Sequence, residues 1–329
     1  MAPGEPERAE ELALDALALY PDHAITTVPA LPGAVEALAA VRRHHGRVIV
    51  VTGKFPANAQ LHVDHLALDV DHVEGWVWGI GKADVLRREG ATIYVGDHVH
   101  DVEGALAAGA LSVSVLTGGC TREELLAAGT HVVLDDLGVF PGWLDAHLLE
   151  LRLDALAADL RERGSVLVAY SGGADSALLL AAAVRALGPD RVAAATGYSH
   201  SLPLAERDPA REFAESLGVA VLTPETHEME REGYRANATG TNADAAVAGF
   251  RPGIRAAAER GAITPLRDAG LTKEQVRAAS RLWDLPTWDK PAAACLSSRV
   301  AYGIEVSPFR LGRVERAESA ARDLLASAG

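Results

Sequence analysis

One six-residue string concentrates groups that could do chemistry. Ser171-Gly172-Gly173-Ala174-Asp175-Ser176 follows the apolar run Val166–Tyr170 and precedes the Ala/Leu-rich stretch Ala177–Leu187. A buried strand that turns through glycines into a helix exposes backbone N–H groups at the helix N-terminus, and these favour phosphate oxygens. Gly172 and Gly173 let the backbone approach an anion closely. Ser171 and Ser176 add hydroxyl donors. Asp175 suits Mg²⁺ or the orientation of the loop. The Lys-Ser/Thr ending of a Walker loop is missing. The bland alternative is a Gly-Gly turn in which Ser and Asp serve only as helix caps.

A second set lies in the first half. Val48–Val51 reads as a strand ending at Thr52, Gly81-Lys82 opens a helix, and Val95-Gly96-Asp97 leads to Asp101. At the C-terminal edge of a parallel sheet these groups could meet one ligand. A hydroxyl and a lysine suit phosphate, and the Asp97/Asp101 pair suits Mg²⁺. Asp69-Val70-Asp71 is read as an exposed turn. His62, His65, His72, His98 and His100 lack convergent metal-ligand spacing and are read as surface or satisfied residues. The two cysteines are Cys120 and Cys295. Cys295 precedes Ser297-Ser298-Arg299 in a loop of small residues, and an adjacent cation would favour its thiolate.

The elements that must position these groups alternate. Short apolar runs recur at Val48–Val51, Ile93–Val95, Leu111–Val115, Val132–Leu134, Val166–Tyr170, Val192–Ala195 and Val219–Leu222. Helical spacing fills many of the gaps, as in Ala34–Arg43, Val102–Ala108, Leu144–Arg163 and Leu311–Ala328. Alternation of this kind predicts parallel sheets covered by helices. The expected class is α/β, with two consecutive Rossmann-like domains at residues 1–148 and 149–329. A net charge of −14 argues against nucleic-acid binding. No apolar run approaches a membrane span, and no signal-peptide pattern opens the chain. Two distant cysteines exclude a disulfide framework. The expected location is the cytoplasm.

The series Thr52, Lys82 and Gly96-Asp97…Asp101 resembles the haloacid-dehalogenase-like hydrolases, particularly phosphoglycolate-phosphatase-like members. In that family these are the second, third and fourth motifs. The first, a strand ending in Asp-x-Asp, is not found ahead of Thr52, so the resemblance implies the scaffold without the nucleophile and no phosphatase turnover.

The string SGGADS resembles the PP-loop of ATP pyrophosphatases, whose domain belongs with the adenine nucleotide alpha hydrolases. Later strings extend the likeness. They are Gly240-Thr241-Asn242-Ala243-Asp244, the segment containing Arg251 and Arg255, Leu271-Thr272-Lys273, and Lys290-Pro291-Ala292-Ala293-Ala294-Cys295-Leu296-Ser297-Ser298-Arg299. Together they resemble the ATP-dependent sacrificial sulfur transferases of the LarE family. The resemblance implies ATP and Mg²⁺ as cofactors, with Ser171, Gly172, Gly173, Asp175, Ser176, Gly240, Thr241, Asn242 and Asp244 at the nucleotide. It implies substrate contacts from Arg251, Arg255, Ser297, Ser298 and Arg299, and catalysis by Cys295, Asp175 and Arg299. The chemistry implied is adenylation of a carboxylate on a pyridinium mononucleotide in the nickel-pincer cofactor pathway. A protein cysteine then attacks and gives up its sulfur.

Three departures stand beside the likeness. The Gly233–Thr239 segment carries no C-x-x-C pair, an alternative alignment puts the sacrificial position at Ala294, and the chain stops at Gly329 short of the family's usual C-terminal domain. Other expectations therefore remain open: amidation or thiolation by another PP-loop enzyme, or a decayed nucleotide-binding fusion. The expected partner is a small-molecule carboxylate, and a homo-oligomer is compatible with it.

Overall fold

The computed structural model describes residues 8, 20–225, 261–291, 295–300 and 304–328. The chain divides into two compact units, Met1–Leu148 and Leu149–Gly329. Elements are numbered in chain order among the described residues.

In the first unit, α1 (Ala34–Arg43), β1 (Ile49–Val51), α2 (Pro56–His65) and β2 (His72–Glu74) come first. They are followed by α3 (Lys82–Glu89), β3 (Ile93–Gly96), α4 (Val99–Ala108), β4 (Leu111–Val115), α5 (Arg122–Ala127) and β5 (Val132–Leu134). Every strand pair is parallel, but the strands form two sheets rather than one: β1-β2, and β3-β4-β5. Among the described residues no strand pairs with both β1 and β3. Across that junction the Tyr94 hydroxyl donates to Val51 O at 3.4 Å. β4, central in its sheet, is buried along Ser112–Val115, as a strand with both faces covered should be. Its two serines are satisfied there, since Ser112 Oγ and Ser114 Oγ both lie within hydrogen-bond reach of Thr130 Oγ1.

Helix α6 (Phe140–Arg163) spans the division. The second unit continues with β6 (Val166–Ala169), α7 (Ala174–Leu187), β7 (Val192–Ala195), α8 (Leu204–Ser216) and β8 (Ala220–Leu222). Then come α9 (Pro265–Asp268), α10 (Lys273–Leu282) and α11 (Pro308–Ala328). The sheet order is β6-β7-β8, all parallel. Leu178, Leu180, Val168, Ala194, Ala214 and Ala279 lie in one buried cluster that joins this sheet to α7, α8 and α10. Burying each Leu of this kind contributes about 1.5–3 kcal/mol. The chain is therefore α/β with parallel sheets throughout its described strands.

β2 was not anticipated, because His72-Val73-Glu74 contains no apolar run. An ion-pair clamp secures it instead. Arg42 Nη1 donates to Asp71 Oδ2 at 2.7 Å, Arg42 Nε to Asp69 Oδ2 at 2.9 Å, and Val48 N to Asp71 Oδ2 at 2.7 Å. Asp69-Val70-Asp71 is thus a fastening of α1 to the β1-β2 pair. The Arg42 guanidinium, aided by the Val48 amide, holds the Asp71 carboxyl below its ordinary range. A depressed carboxylate stabilises the fold above its unfolded pKa, and that contribution is lost as pH falls through the folded value. Asp71→Asn should therefore flatten the loss of thermal stability between neutral pH and about pH 3. The check is a Tm series across that range for both chains.

Candidate functional site

The strand-to-helix turn of the second unit is built as follows. β6 carries the chain to Tyr170, whose buried phenol is pushed up from its ordinary pKa by desolvation. The direction reverses at Gly172, where φ is +73°, a left-handed conformation that favours glycine. A Cβ there would also meet the Ala210 Cβ at 2.9 Å. α7 starts with Gly173 as its N-cap and has no side-chain cap. Ser176 Oγ is used elsewhere: it donates to Gly173 O at 3.1 Å, accepts from Ser171 N at 3.3 Å and lies 3.2 Å from Ser171 Oγ. Asp175 is exposed and takes the Lys273 ammonium at 2.5 Å. The serines and the aspartate of the string are therefore not spent as caps of α7. α4, α5 and α10 each begin with a complete capping box, on His98, Thr121 and Thr272, whereas α1, α2, α3, α8 and α9 have no side-chain cap, like α7.

Asp175, Ser176 and Lys273 line a cleft of about 840 Å³ that also includes Leu167, Thr264 and Leu266. Ser171, Gly172 and Gly173 are not among the described residues that line it. Behind the turn, Lys290 Nζ donates to Gly172 O at 3.0 Å and pairs with Glu206 of α8.

Cys295 is exposed and caps the short 3₁₀ turn Leu296–Arg299. Its Sγ lies 2.8 Å from Ser297 Oγ, and Ser297 is itself buried. Leu296 N donates to Ser201 O at 2.9 Å, which sets the cysteine turn against the loop after β7. The Arg299 guanidinium donates to the Cys295 carbonyl oxygen at 3.3 Å and pairs with Glu318 of α11. Only the backbone of Ser298 is described.

At the C-terminal edge of the first unit's sheets, Asp101 gathers four donors. Lys82 Nζ reaches its Oδ1 at 2.5 Å and the Tyr94 hydroxyl reaches the same oxygen at 3.1 Å. Asp97 N and His98 N donate to Oδ2 at 3.3 and 3.2 Å. Burial, with Asp101 alongside, pushes the Tyr94 phenol up, so it stays a donor. A Cβ on Gly96 would fall 2.4 Å from the Asp101 Cβ, so glycine is what admits the carboxylate. Asp97 packs differently, against Gly118, whose Cβ would stand 2.6 Å from the Asp97 Cγ. Thr52 Oγ1 accepts from Lys54 N at 3.2 Å.

Two family models match the first unit: haloacid dehalogenase-like hydrolase over residues 5–106, and HAD-hydrolase-like over residues 80–139. An uncharacterized Synechocystis protein, slr1717, is 37% identical over 199 residues, covering 52% of this chain and 74% of its own length. The pyridinium-3,5-bisthiocarboxylic acid mononucleotide synthase of Lactiplantibacillus plantarum is 31% identical over 196 residues, covering 51% of this chain and 71% of its own. The chain belongs to that synthase's family. Solved structures are more distant. A HAD family hydrolase from Deinococcus radiodurans R1, with bound phosphate and sodium, is 23% identical with a TM-score of 0.35, covering 42% of this chain. The chain spans 66% of that structure's length. A hydrolase from Pseudomonas syringae is 23% identical with a TM-score of 0.37, covering 44% of this chain and 74% of its own.

Within this synthase-family chain, the structure brings Ser171, Gly172, Gly173, Asp175 and Ser176 into one turn, and Cys295, Ser297 and Arg299 into another. Gly240, Thr241, Asn242, Asp244, Arg251, Arg255 and Ala294 lie outside the described residues. Lys273 and Lys290 were not assigned a role from the sequence. Their partners stand 98 and 118 residues away, so no local spacing marks them. In the HAD-like unit Thr52 and Asp97 directly follow β1 and β3, Lys82 opens α3, and Asp101 lies in the first turn of α4. Haloacid dehalogenase-like hydrolases typically use Mg²⁺, and the expected ligands were Asp97 and Asp101. Asp101 is held by Lys82, Tyr94 and two backbone amides, and Asp97 stands four residues before it. Among the described residues no group of three or more His, Cys, Asp or Glu could hold a metal ion. His62 meets Tyr20, His72 meets Glu74, and His100 meets Glu103. No described helix is long and apolar enough to cross a membrane.

Lys82 and Asp101 are 14% and 11% exposed at their side chains, so removing one partner strands a largely buried charge. Lys82→Met should cost about 3–5 kcal/mol of first-unit stability. Lys82→Met with Asp101→Asn should cost less than the sum of the single changes. Denaturant unfolding of all four chains measures the cycle, and strict additivity would contradict this reading.

Proposed function

We propose that the chain is an ATP-dependent sulfur transferase. It adenylates a carboxylate of a pyridinium mononucleotide and transfers sulfur to it from Cys295. The observation that carries this reading is the Ser171–Ser176 turn, whose hydroxyls and carboxylate are not spent on capping α7, in a chain that belongs to the synthase family. The first amides of α7 and the Ser171 hydroxyl would take the phosphates of Mg·ATP. Asp175 and Lys273 would share the work at the mouth of the loop. The carboxylate meets the nucleotide's Mg²⁺ and the ammonium meets a phosphate oxygen, each replacing the other as partner. Attack of the substrate carboxylate on the ATP α-phosphate would expel pyrophosphate, and attack of the Cys295 thiolate on the acyl-adenylate would expel AMP and leave a thioester. Loss of the residue-295 Cα proton to a base would then break the Cβ–S bond, leaving dehydroalanine in the chain and a thiocarboxylate on the substrate.

Arg299 would support this step by holding the Cys295 backbone and by offering positive charge beside it. Ser297, 2.8 Å from the sulfur, would orient the thiol. Gly240, Thr241, Asn242 and Asp244 are proposed to complete the nucleotide site, and Arg251, Arg255 and Ser298 the substrate site. In the first unit Asp97 and Asp101 are proposed to hold Mg²⁺, with Asp101 also fastening Lys82.

Two measurements test the reading. Calorimetry with Mg·ATP should give binding in the parent chain and none in Gly173→Val or Asp175→Ala. Equal affinity in all three would place the nucleotide elsewhere. Pyrophosphate release should depend on the pyridinium mononucleotide. Cys295→Ala should keep that release and lose the thiocarboxylate, whereas Cys120→Ala should keep both. Thiocarboxylate formed at the parent rate by Cys295→Ala would point to an external sulfur donor and to another kind of PP-loop reaction.

A further inference from the structure

Lys290 stands at the back of the Ser171–Ser176 turn, away from the groups just assigned. Its ammonium donates to the Gly172 carbonyl at 3.0 Å and pairs with Glu206, and both side chains of that pair are about four-fifths buried, at 22% and 21% exposure. A trans peptide is planar, so its C=O and the following N–H point in opposite directions. Fixing the Gly172 carbonyl on Lys290 therefore aims the Gly173 N–H away from Lys290. Lys290 is itself fixed, because its own carbonyl accepts from Arg277 Nη2 at 3.2 Å and its amide donates to Thr287 O at 3.2 Å.

The next residue of α8 leads elsewhere. Arg207 Nη2 donates to Ser199 O at 2.9 Å and to Leu202 O at 3.4 Å, and so shapes the loop after β7. Ser201 in that loop accepts the Leu296 amide at 2.9 Å, directly after Cys295. Leu204, at the start of α8, donates its amide to Glu315 of α11 at 2.5 Å. The first turn of α8 thus holds the phosphate-type turn through Glu206 and Lys290, and holds the cysteine turn through Arg207. Lys290 also precedes Cys295 by five positions in the sequence.

We infer that Lys290 is a positioning residue that holds the Gly172 peptide in its anion-accepting orientation and, through Glu206 and α8, couples occupation of that turn to the setting of Cys295. The inference rests on the proposed nucleotide site. Its chemistry is conservative: no bond is made or broken at Lys290. When a polyanion enters the turn, the Gly172 peptide and Lys290 shift or tighten together. The first turn of α8 carries the change to the loop that seats the cysteine. Such coupling between sites ordinarily amounts to a factor of about 5–150.

The test uses the full chain with Cys120→Ser, which leaves Cys295 as its one thiol. The rate of Cys295 alkylation by iodoacetamide is followed by mass spectrometry, with and without saturating Mg²⁺ and α,β-methylene-ATP, a nucleotide that cannot release pyrophosphate. The parent rate should change at least about fivefold on nucleotide addition. In Lys290→Met the affinity for this nucleotide, from calorimetry, should fall about tenfold, and the saturated chain should show no rate change. A purely structural lysine would lower Tm and leave the nucleotide response intact, which would overturn the inference. So would a parent chain that binds the nucleotide with no change in alkylation, a result independent of whether the variant folds. A parent chain that gives no binding heat overturns the nucleotide site itself, and the inference with it.

Discussion

A helix must do something with its first amides, and in this chain the choice made at α7 governs the second unit. A side chain closes some of the described helices, as Thr121 and Thr272 do for α5 and α10, while others, α1 and α8 among them, begin without one. Such a cap is worth about 0.5–2 kcal/mol. At α7 the chain forgoes it, although Ser171, Asp175 and Ser176 are all at hand. Ser176 braces the turn from within, Asp175 holds Lys273, and Gly172 is fixed from behind by Lys290 and Ala210. The turn is braced by contacts that leave its mouth to a ligand.

The packing beneath explains why the turn can stay in place. β6 is paired along Val166–Ala169 with β7, and α7 contributes Ala177, Leu178, Leu180 and Ala181 to the same buried cluster. A turn between two such anchored elements has little freedom left. The cysteine turn has a smaller core of its own, Leu296 with Val306 and Leu311, and polar ties that include Ser201 and Glu318 among the described residues. The first unit follows the same logic with other chemistry. Its strand ends carry a Lys82–Asp101–Tyr94 network instead of an open helix N-terminus, and Gly96 supplies the space.

Much of this is legible in the residues. β5 and β7 form where the continuous runs Val132–Leu134 and Val192–Ala195 stand, whereas β4 alternates apolar residues with Ser112 and Ser114 and is buried because Thr130 satisfies both serines. α1 matches its helical spacing at Ala34–Arg43. The Gly-Gly turn is visible as a string because Gly172 takes a positive φ, although the space that excludes a Cβ there is set by Ala210 of the distant α8. What the sequence conceals is held by distant contacts. β2 exists because Arg42 fastens Asp71, not because His72-Val73-Glu74 favours a strand. The partners of Asp101, Lys82 and Tyr94, come from other elements, so the carboxylate spacing does not show them. Lys290 reads as an ordinary residue before a proline until α8 brings Glu206 to it.

The measurement closest to the centre of this account is the mass of the peptide that contains residue 295. The full chain is incubated with ATP, Mg²⁺ and the pyridinium mononucleotide, then digested and analysed beside a control without ATP. The account predicts an ATP-dependent loss of about 34 Da, one H₂S, as cysteine becomes dehydroalanine, in step with the thiocarboxylate formed. An unmodified Cys295 alongside thiolated product would contradict it.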